Sequence, residues 1–259
     1  MLPLIDSHCH IDMVLSRGVP QQQIDEACQS NGVERVVQIA ADASAIDFAL
    51  QHCKEPHPYE VKFTIGQHPG EVHEVDTSLC IKAAFEQKDN KDFVAVGEIG
   101  LDYHYGLETK EQQKEVFIEY LQAAVELRKP VCIHTREAHE DTMAALKTVS
   151  GDIPILIHCF TGNYQQMKDY LSLGCFISFS GIVTFKNAKE LQEAALHCPL
   201  ENMLVETDAP YLTPVPHRGK PNHPAMVRHT ANFIADLKQI QADQVAEATY
   251  ANTCQFYAI

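Results

Sequence analysis

His8 and His10 stand two apart in LIDSHCHID, at the end of an apolar run. Alternate residues of an extended strand point to one face, so this pair aims two imidazoles in the same direction. Neutral imidazole is a common metal ligand. Glu98, in VAVGEIGLD, is a carboxylate closing another apolar run between Gly97 and Gly100. Such a group is costly to bury without a cation or hydrogen-bond donors. His134 ends PVCIHT, His158 closes PILIH and Asp208 falls in LVETDA, each after apolar residues at the same relative place. Taken singly, each residue has an ordinary reading as a core histidine or a salt-bridged acid. Taken together, His8, His10, Glu98, His134, His158 and Asp208 form a ligand set for two divalent cations, with positions left for water and substrate. Paired cations about 3.5–4 Å apart can polarise an oxygen and generate a nucleophile from water. Mixed nitrogen and oxygen donors suit Zn²⁺, Mn²⁺, Fe²⁺ or Ni²⁺, whereas Mg²⁺ prefers oxygen. The sequence does not choose among Mg²⁺, Mn²⁺ and Zn²⁺.

These residues can meet only if a scaffold brings distant strand ends together. Eight short runs read as strands: 4–12, 35–40, 62–68, 93–102, 130–135, 154–159, 175–181 and 203–209. Helical patterns alternate with them at 20–32, 110–129, 138–149, 163–174 and 187–197, and again through 223–238 and 242–257. In 110–129 the apolar positions 116, 117, 120, 121, 124 and 127 follow a helical period. Alternating strand and helix implies parallel strands joined by right-handed crossovers. An open doubly wound sheet satisfies that pattern, but eight regular units favour closure. The ligand candidates also sit at strand C-terminal ends, where barrel enzymes carry their sites. The expected architecture is therefore one domain over 1–259, a (β/α)₈ TIM barrel with its metal site at the C-terminal mouth. The Pro-rich stretch 209–224 reads as a long active-site loop.

The 259 residues suit one such barrel. No apolar run is long enough for a membrane span, and the first residues lack the pattern of a signal peptide. Nine cysteines at scattered spacing, with no CxxC, read as buried small hydrophobes in a reducing cytoplasm. No obligatory protein partner is expected. Lys and Arg number 20 against 35 Asp and Glu, a net charge of −15. That excludes a general polyanion-binding surface, since phosphate contact relies on Lys and Arg. A phosphodiester substrate would have to be bound locally.

The segments DSHCHID, GQHP (66–69), GEIGLDY (97–103), HTRE (134–137), HCFTG (158–162), ETDAPYL (206–212) and RGKPNHP (218–224) resemble the TatD-type deoxyribonuclease family. The resemblance runs in order over nearly the whole chain. It implies a TIM barrel of the metal-dependent hydrolase superfamily. It further implies a divalent-metal-dependent nuclease, with 3′-to-5′ exonuclease action on single-stranded DNA. In that pattern His8, His10 and Glu98 serve one cation, completed by Asp208, and Glu98 bridges to a second held by His134 and His158. Family members differ in substrate, so fold and metal transfer better than specificity.

Further roles follow for neighbouring residues. His68 is positioned to contact a scissile phosphate or tune a water. Glu206 lies two residues before Asp208, on the same strand face, and is expected to orient water or act with Asp208 as general base. Arg136, Arg218 and Lys220 are candidate phosphate-binding cations. Tyr103, Tyr105 and Phe160 are candidates for stacking on a base. The competing readings are a small ester, amide, lactone or phosphoester hydrolase on the same core, and a barrel that keeps metal for stability alone.

Overall fold

The computed structural model describes residues 2–73 and 76–259. Eight strands form one sheet in the order β1 to β8: Leu4–Cys9, Val33–Ala40, Glu60–Ile65, Phe93–Asp102, Val131–Arg136, Ile155–Ile157, Phe176–Phe179 and Met203–Val205. Every neighbouring pair is parallel. The last strand returns to the first. A parallel bridge joins Cys9 to Ala209, the Asp208 amide donates to the His8 carbonyl (3.0 Å), and the His10 amide donates to the Ala209 carbonyl (2.8 Å). Asp6 reinforces this seam. Its carboxyl accepts from the Thr207 amide (2.8 Å) and the Thr207 hydroxyl (2.6 Å).

The helices are α1 (Ile11–Ser16), α2 (Gln21–Ser30), α3 (Ala43–His52), α4 (Thr77–Glu86), α5 (Lys110–Leu127), α6 (His139–Leu146), α7 (Tyr164–Ser172), α8 (Lys189–His197), α9 (Val227–Lys238) and α10 (Ala242–Tyr257). The main core joins them to the outer faces of the strands. A second cluster, containing Val37, Ile39, Val94, Cys132, Leu156 and Leu204 from the strands, takes in Phe256 and Tyr257 at the end of α10. The Tyr257 hydroxyl donates to the Ser7 carbonyl (2.9 Å), so the C-terminal helix is tied to β1.

Three expectations change. Residues 10–12 leave β1, His10 standing just before α1 and Ile11 and Asp12 opening it, where the Gln38 side chain accepts from the Ile11 amide (2.6 Å) and donates to Asp12 (2.8 Å). The predicted strand 203–209 stops at Val205. Helices α3 and α4 fall where no helical pattern was read; both begin at an Asp whose side chain accepts from backbone amides of the first turn, a normal helix start. The nine cysteines are free thiols. Among the described residues no helix is long and apolar enough to cross a membrane.

Candidate metal centre

Glu98 lies on the longest strand, β4, all of which is buried. Its neighbours permit close contact with adjoining strands. Gly97 and Gly100 hold φ of +157° and +143°, values that L side chains rarely adopt. A Cβ on Gly97 would meet Cys132 at 2.6 Å, and one on Gly100 would meet the His134 carbonyl at 2.0 Å. The Glu98 backbone therefore sits directly against β5.

Four imidazoles surround that carboxylate. His158 Nε2 is 2.9 Å from Glu98 Oε2, His134 Nδ1 is 3.7 Å from it, and His8 Nε2 is 3.8 Å from it. His10 Nε2 is 3.5 Å from Oε1. Asp208 Oδ1 faces His8 Nε2 at 3.8 Å and His10 Nε2 at 3.7 Å. The six predicted ligands thus converge, delivered by β1 and the turn after it, β4, β5, and the segments just past β6 and β8. Asp208 reaches its place with φ +53°, a left-handed conformation that costs a non-glycine residue about 1–3 kcal/mol. Sites that accept such strain are commonly functional.

The donors fit a cation. His8 Nε2 is buried and has no hydrogen-bond partner. His8 with His10 and Glu98 offers ligand atoms within 4.8 Å of one another, as do His68, Glu98 and His134. Burial pushes the His8 imidazole well below its ordinary range, which keeps it neutral and able to ligate. Burial would raise Glu98, but the His158 hydrogen bond and the surrounding histidines outweigh it and hold the carboxyl well below its usual range. Burial raises Asp208 well above that range, with His158 opposing.

The other ring nitrogens are also engaged. His134 Nε2 meets Asp102 Oδ2 at 3.0 Å, His158 Nδ1 faces Glu206 Oε1 at 3.4 Å, and His8 Nδ1 lies 3.5 Å from Cys132 Sγ. Carboxylates behind ligating imidazoles fix ring orientation and raise ligand basicity. Asp102 was missed by sequence reasoning. The signal was present: residues 98, 100 and 102 share one face of β4, and the same alternation on β5 pairs Cys132 with His134. Burial would raise Asp102, but the His134 hydrogen bond and two backbone amides bring it down to about 2.

Glu206 lies deeper than Asp208. The chain leaves β8 after Val205 and turns through the positive φ of Asp208, so the strand alternation that was expected to relate the two residues ends before Asp208. Glu206 is fully buried beside His158, and its carboxylate lies with ligand atoms of His8 and His158 within 4.8 Å of one another. His68 caps the 3-10 turn Pro69–Glu71, its Nδ1 accepting from the Gly70 amide (3.0 Å). Its ring packs edge-on to His134 at 4.6 Å. Since Nδ1 accepts, the neutral ring carries its proton on Nε2. Burial lowers its pKa to about 4.

The substrate candidates divide between two cavities. Tyr103 and Arg136 line one of about 570 Å³, together with Lys110 and Phe160. Arg218 and Lys220 line another of about 420 Å³, together with Arg17 and Phe185. Each arginine stacks on an aromatic ring: Arg136 on Tyr105 at 4.7 Å, Arg218 on Phe185 at 3.7 Å, Arg17 on Tyr211 at 4.6 Å. Two stacking candidates are already committed. Tyr103 donates to Asp141 (2.8 Å) beneath Lys110, and Phe160 is buried against Tyr170 and Phe179. Tyr105 is open, 72% exposed. The predicted loop 209–224 is pinned by the Asn222 side chain, which donates to the carbonyls of Thr207 and Tyr211.

A closed parallel barrel with histidines and carboxylates converging at its mouth defines a metal-dependent hydrolase. Comparison with known proteins gives the family. The family model described as TatD related DNase matches residues 5–258, and the chain belongs to that family. It is 40% identical to the uncharacterized metal-dependent hydrolase YcfH of Escherichia coli K12, over 99% of this chain and 96% of that protein. It is 34% identical to the uncharacterized metal-dependent hydrolase YabD of Bacillus subtilis, over 99% of each. Among solved structures, the TatD homolog YjjV of Escherichia coli superposes with a TM-score of 0.88 at 26% identity, covering 99% of this chain and 98% of that one.

Proposed function

We propose that the protein is a deoxyribonuclease that hydrolyses phosphodiester bonds of single-stranded DNA from the 3′ end, with two divalent cations (Mg²⁺, Mn²⁺ or Zn²⁺). The observation that carries this reading is a pair of cavities beside the ligand cluster, one lined by Arg17, Arg218 and Lys220 with no acidic residue, the other by Lys110 and Arg136 together with Glu137, Glu140 and Asp141. In each, an arginine lies on a ring, and Arg136, Arg218 and Lys220 make no ion pair among the described residues. A cationic groove with an aromatic platform suits single strands, and the Arg17–Arg218–Lys220 cavity supplies locally what a net charge of −15 denies globally.

His8, His10, Glu98 and Asp208 are assigned to one cation, and Glu98, His134 and His158 to the other. Bound there, the ions supply Lewis acidity toward a phosphoryl oxygen and toward water. The protein's own groups do the remaining work. Asp208, whose side chain is 15% exposed, would accept the proton of the attacking water once a bound cation keeps its carboxyl ionised. His68 donates from Nε2 to a phosphate oxygen. Asp102 and Glu206 hold His134 and His158 in the tautomers that face Glu98. Arg136 and Arg218 bind flanking phosphates as bidentate donors.

The net charge of −15 favours one competing reading, a small neutral ester or lactone as substrate. A substrate panel separates them. With Mg²⁺ or Mn²⁺, 3′-labelled single-stranded DNA is expected to lose its label faster than any small ester or lactone turns over. Arg218→Ala is expected to raise KM for DNA while leaving kcat nearly unchanged. Turnover of a small ester far above DNA cleavage, with no response to Arg218→Ala, overturns the nuclease reading.

A further inference from the structure

A second histidine–carboxylate cluster lies on the flank of the barrel, on elements that contribute nothing to the mouth. His52 is the last residue of α3, Glu55 follows it, and His57 lies in the connection that leads into β3. Together they offer three ligand atoms within 4.8 Å of one another. Both rings are buried, with 2% and 3% of the side chain exposed for His52 and His57, whereas Glu55 is 59% exposed. The ring centroids are 4.2 Å apart. Phe48 stacks on His52 and Tyr59 on His57, so both imidazoles are held in place from outside the cluster.

Glu55 Oε2 lies 3.3 Å from His52 Nδ1 and 3.9 Å from His57 Nε2. Ligand atoms around a tetrahedral Zn²⁺, with bonds of about 2.0–2.1 Å, stand about 3.4 Å apart. The observed spacing is close to that edge. His57 Nε2 is buried and has no hydrogen-bond partner, and neither has His52 Nε2. Ordinary packing leaves few such nitrogens orphaned. The reverse side of His57 explains its orientation. Its Nδ1 lies 3.4 Å from Asp25 Oδ1 on α2, and Gln21 donates to the same Asp25 oxygen at 2.7 Å. Gln21 Nε2 also lies 3.4 Å from His57 Nδ1, so Asp25 and Gln21 of α2 together hold this side of the ring and leave Nε2 on the side of Glu55.

We propose that His52, Glu55 and His57 form a separate site for one transition-metal cation, of the Zn²⁺ class, with Asp25 as the positioning residue behind His57. Two imidazoles and one carboxylate are the donors such a cation prefers, and the exposed Glu55 provides the entry path. The site joins the end of α3 to the connection before β3 and, through Asp25, to α2, so its role is to fasten this flank.

The test counts zinc. Metal-free native protein, Glu55→Gln and His57→Gln are titrated with Zn²⁺ against a chromogenic chelator, each with and without Glu98→Ala at the mouth. Far-UV circular dichroism of the metal-free proteins confirms the fold; Glu55 is exposed, so its variant keeps the native spectrum. The expected result is one fewer Zn²⁺ per chain in both flank variants, in either mouth background, with hydrolysis unchanged by the flank substitutions where Glu98 is present. Equal zinc counts in native and flank variants overturn the proposal and leave the cluster as stacked rings alone. Because the count differs at the flank whatever the mouth does, failure here leaves the reading of the mouth untouched.

Discussion

Two regions of this barrel gather histidines around a glutamate, and they are built differently. At the mouth, the ligands come from β1, β4, β5 and the segments past β6 and β8, and Glu98 at their centre is 4% exposed. At the flank, His52, Glu55 and His57 come from one helix end and the connection after it, and the glutamate is open to solvent. Strands fix a backbone on both sides, so the mouth can hold six side chains against one another, with Asp102 hydrogen-bonded behind His134 and Glu206 facing His158. A helix end fixes far less, and the flank relies on stacked aromatics and Asp25. The mouth is thus preorganised for a reaction, and the flank for fastening.

The largest expected effect follows from removing the residue all the mouth ligands share. Glu98→Gln should reduce hydrolysis at least about a thousandfold, since Lewis-acid stabilisation worth several kcal/mol is lost at 1.36 kcal/mol per decade. Steady-state rates at saturating Mn²⁺ measure it, and a variant within tenfold of native would erase the distinction between mouth and flank.

The carboxylates behind the rings come next. Asp102→Asn and Glu206→Gln leave every ligand in place and should weaken metal affinity about 10–100-fold, read as the Mn²⁺ concentration giving half-maximal rate. The two should not behave alike if Glu206 is a general base, because Glu206→Gln would then lower kcat at saturating metal. A loss confined to metal affinity supports its role behind His158.

A smaller effect concerns loop-borne histidines. Burial, then repulsion by His217 and His229, pushes His223 down to about 4 from an ordinary 6.5. The unfolded chain takes up a proton near pH 6.5 that the folded chain refuses until about pH 4. This contribution to stability is therefore complete above 6.5 and shrinks as pH falls toward 4. Melting temperature measured from pH 7 to 4 should fall less steeply in His223→Gln than in the native protein. Parallel curves would show that the loop opens before it melts.

Much of the mouth was legible because strand alternation and repeated strand–helix units are local patterns with global consequences. His8, His10, Glu98, His134, His158 and Asp208 each sat at the end of an apolar run, and closure of the barrel brought those ends together. What was not legible depended on where strands stop. The side chain of Gln38, on β2, ends β1 before His10, and β8 stops at Val205 ahead of the left-handed turn at Asp208; neither is visible in periodicity. Asp102 was hidden for a different reason: its partner, His134, lies on another strand. The flank cluster was invisible because α3 carried no clear helical pattern, so His52 and His57 had no common element to share. The arginines were chosen for charge, and only the fold separates them into two cavities.

The most direct test of the account is anomalous X-ray diffraction from crystals soaked in Mn²⁺. The account expects strong peaks at the barrel mouth within ligand distance of Glu98, flanked by His8, His10 and Asp208 on one side and by His134 and His158 on the other. Anomalous maps with no peak near Glu98, in crystals whose protein hydrolyses DNA under the same conditions, would contradict it.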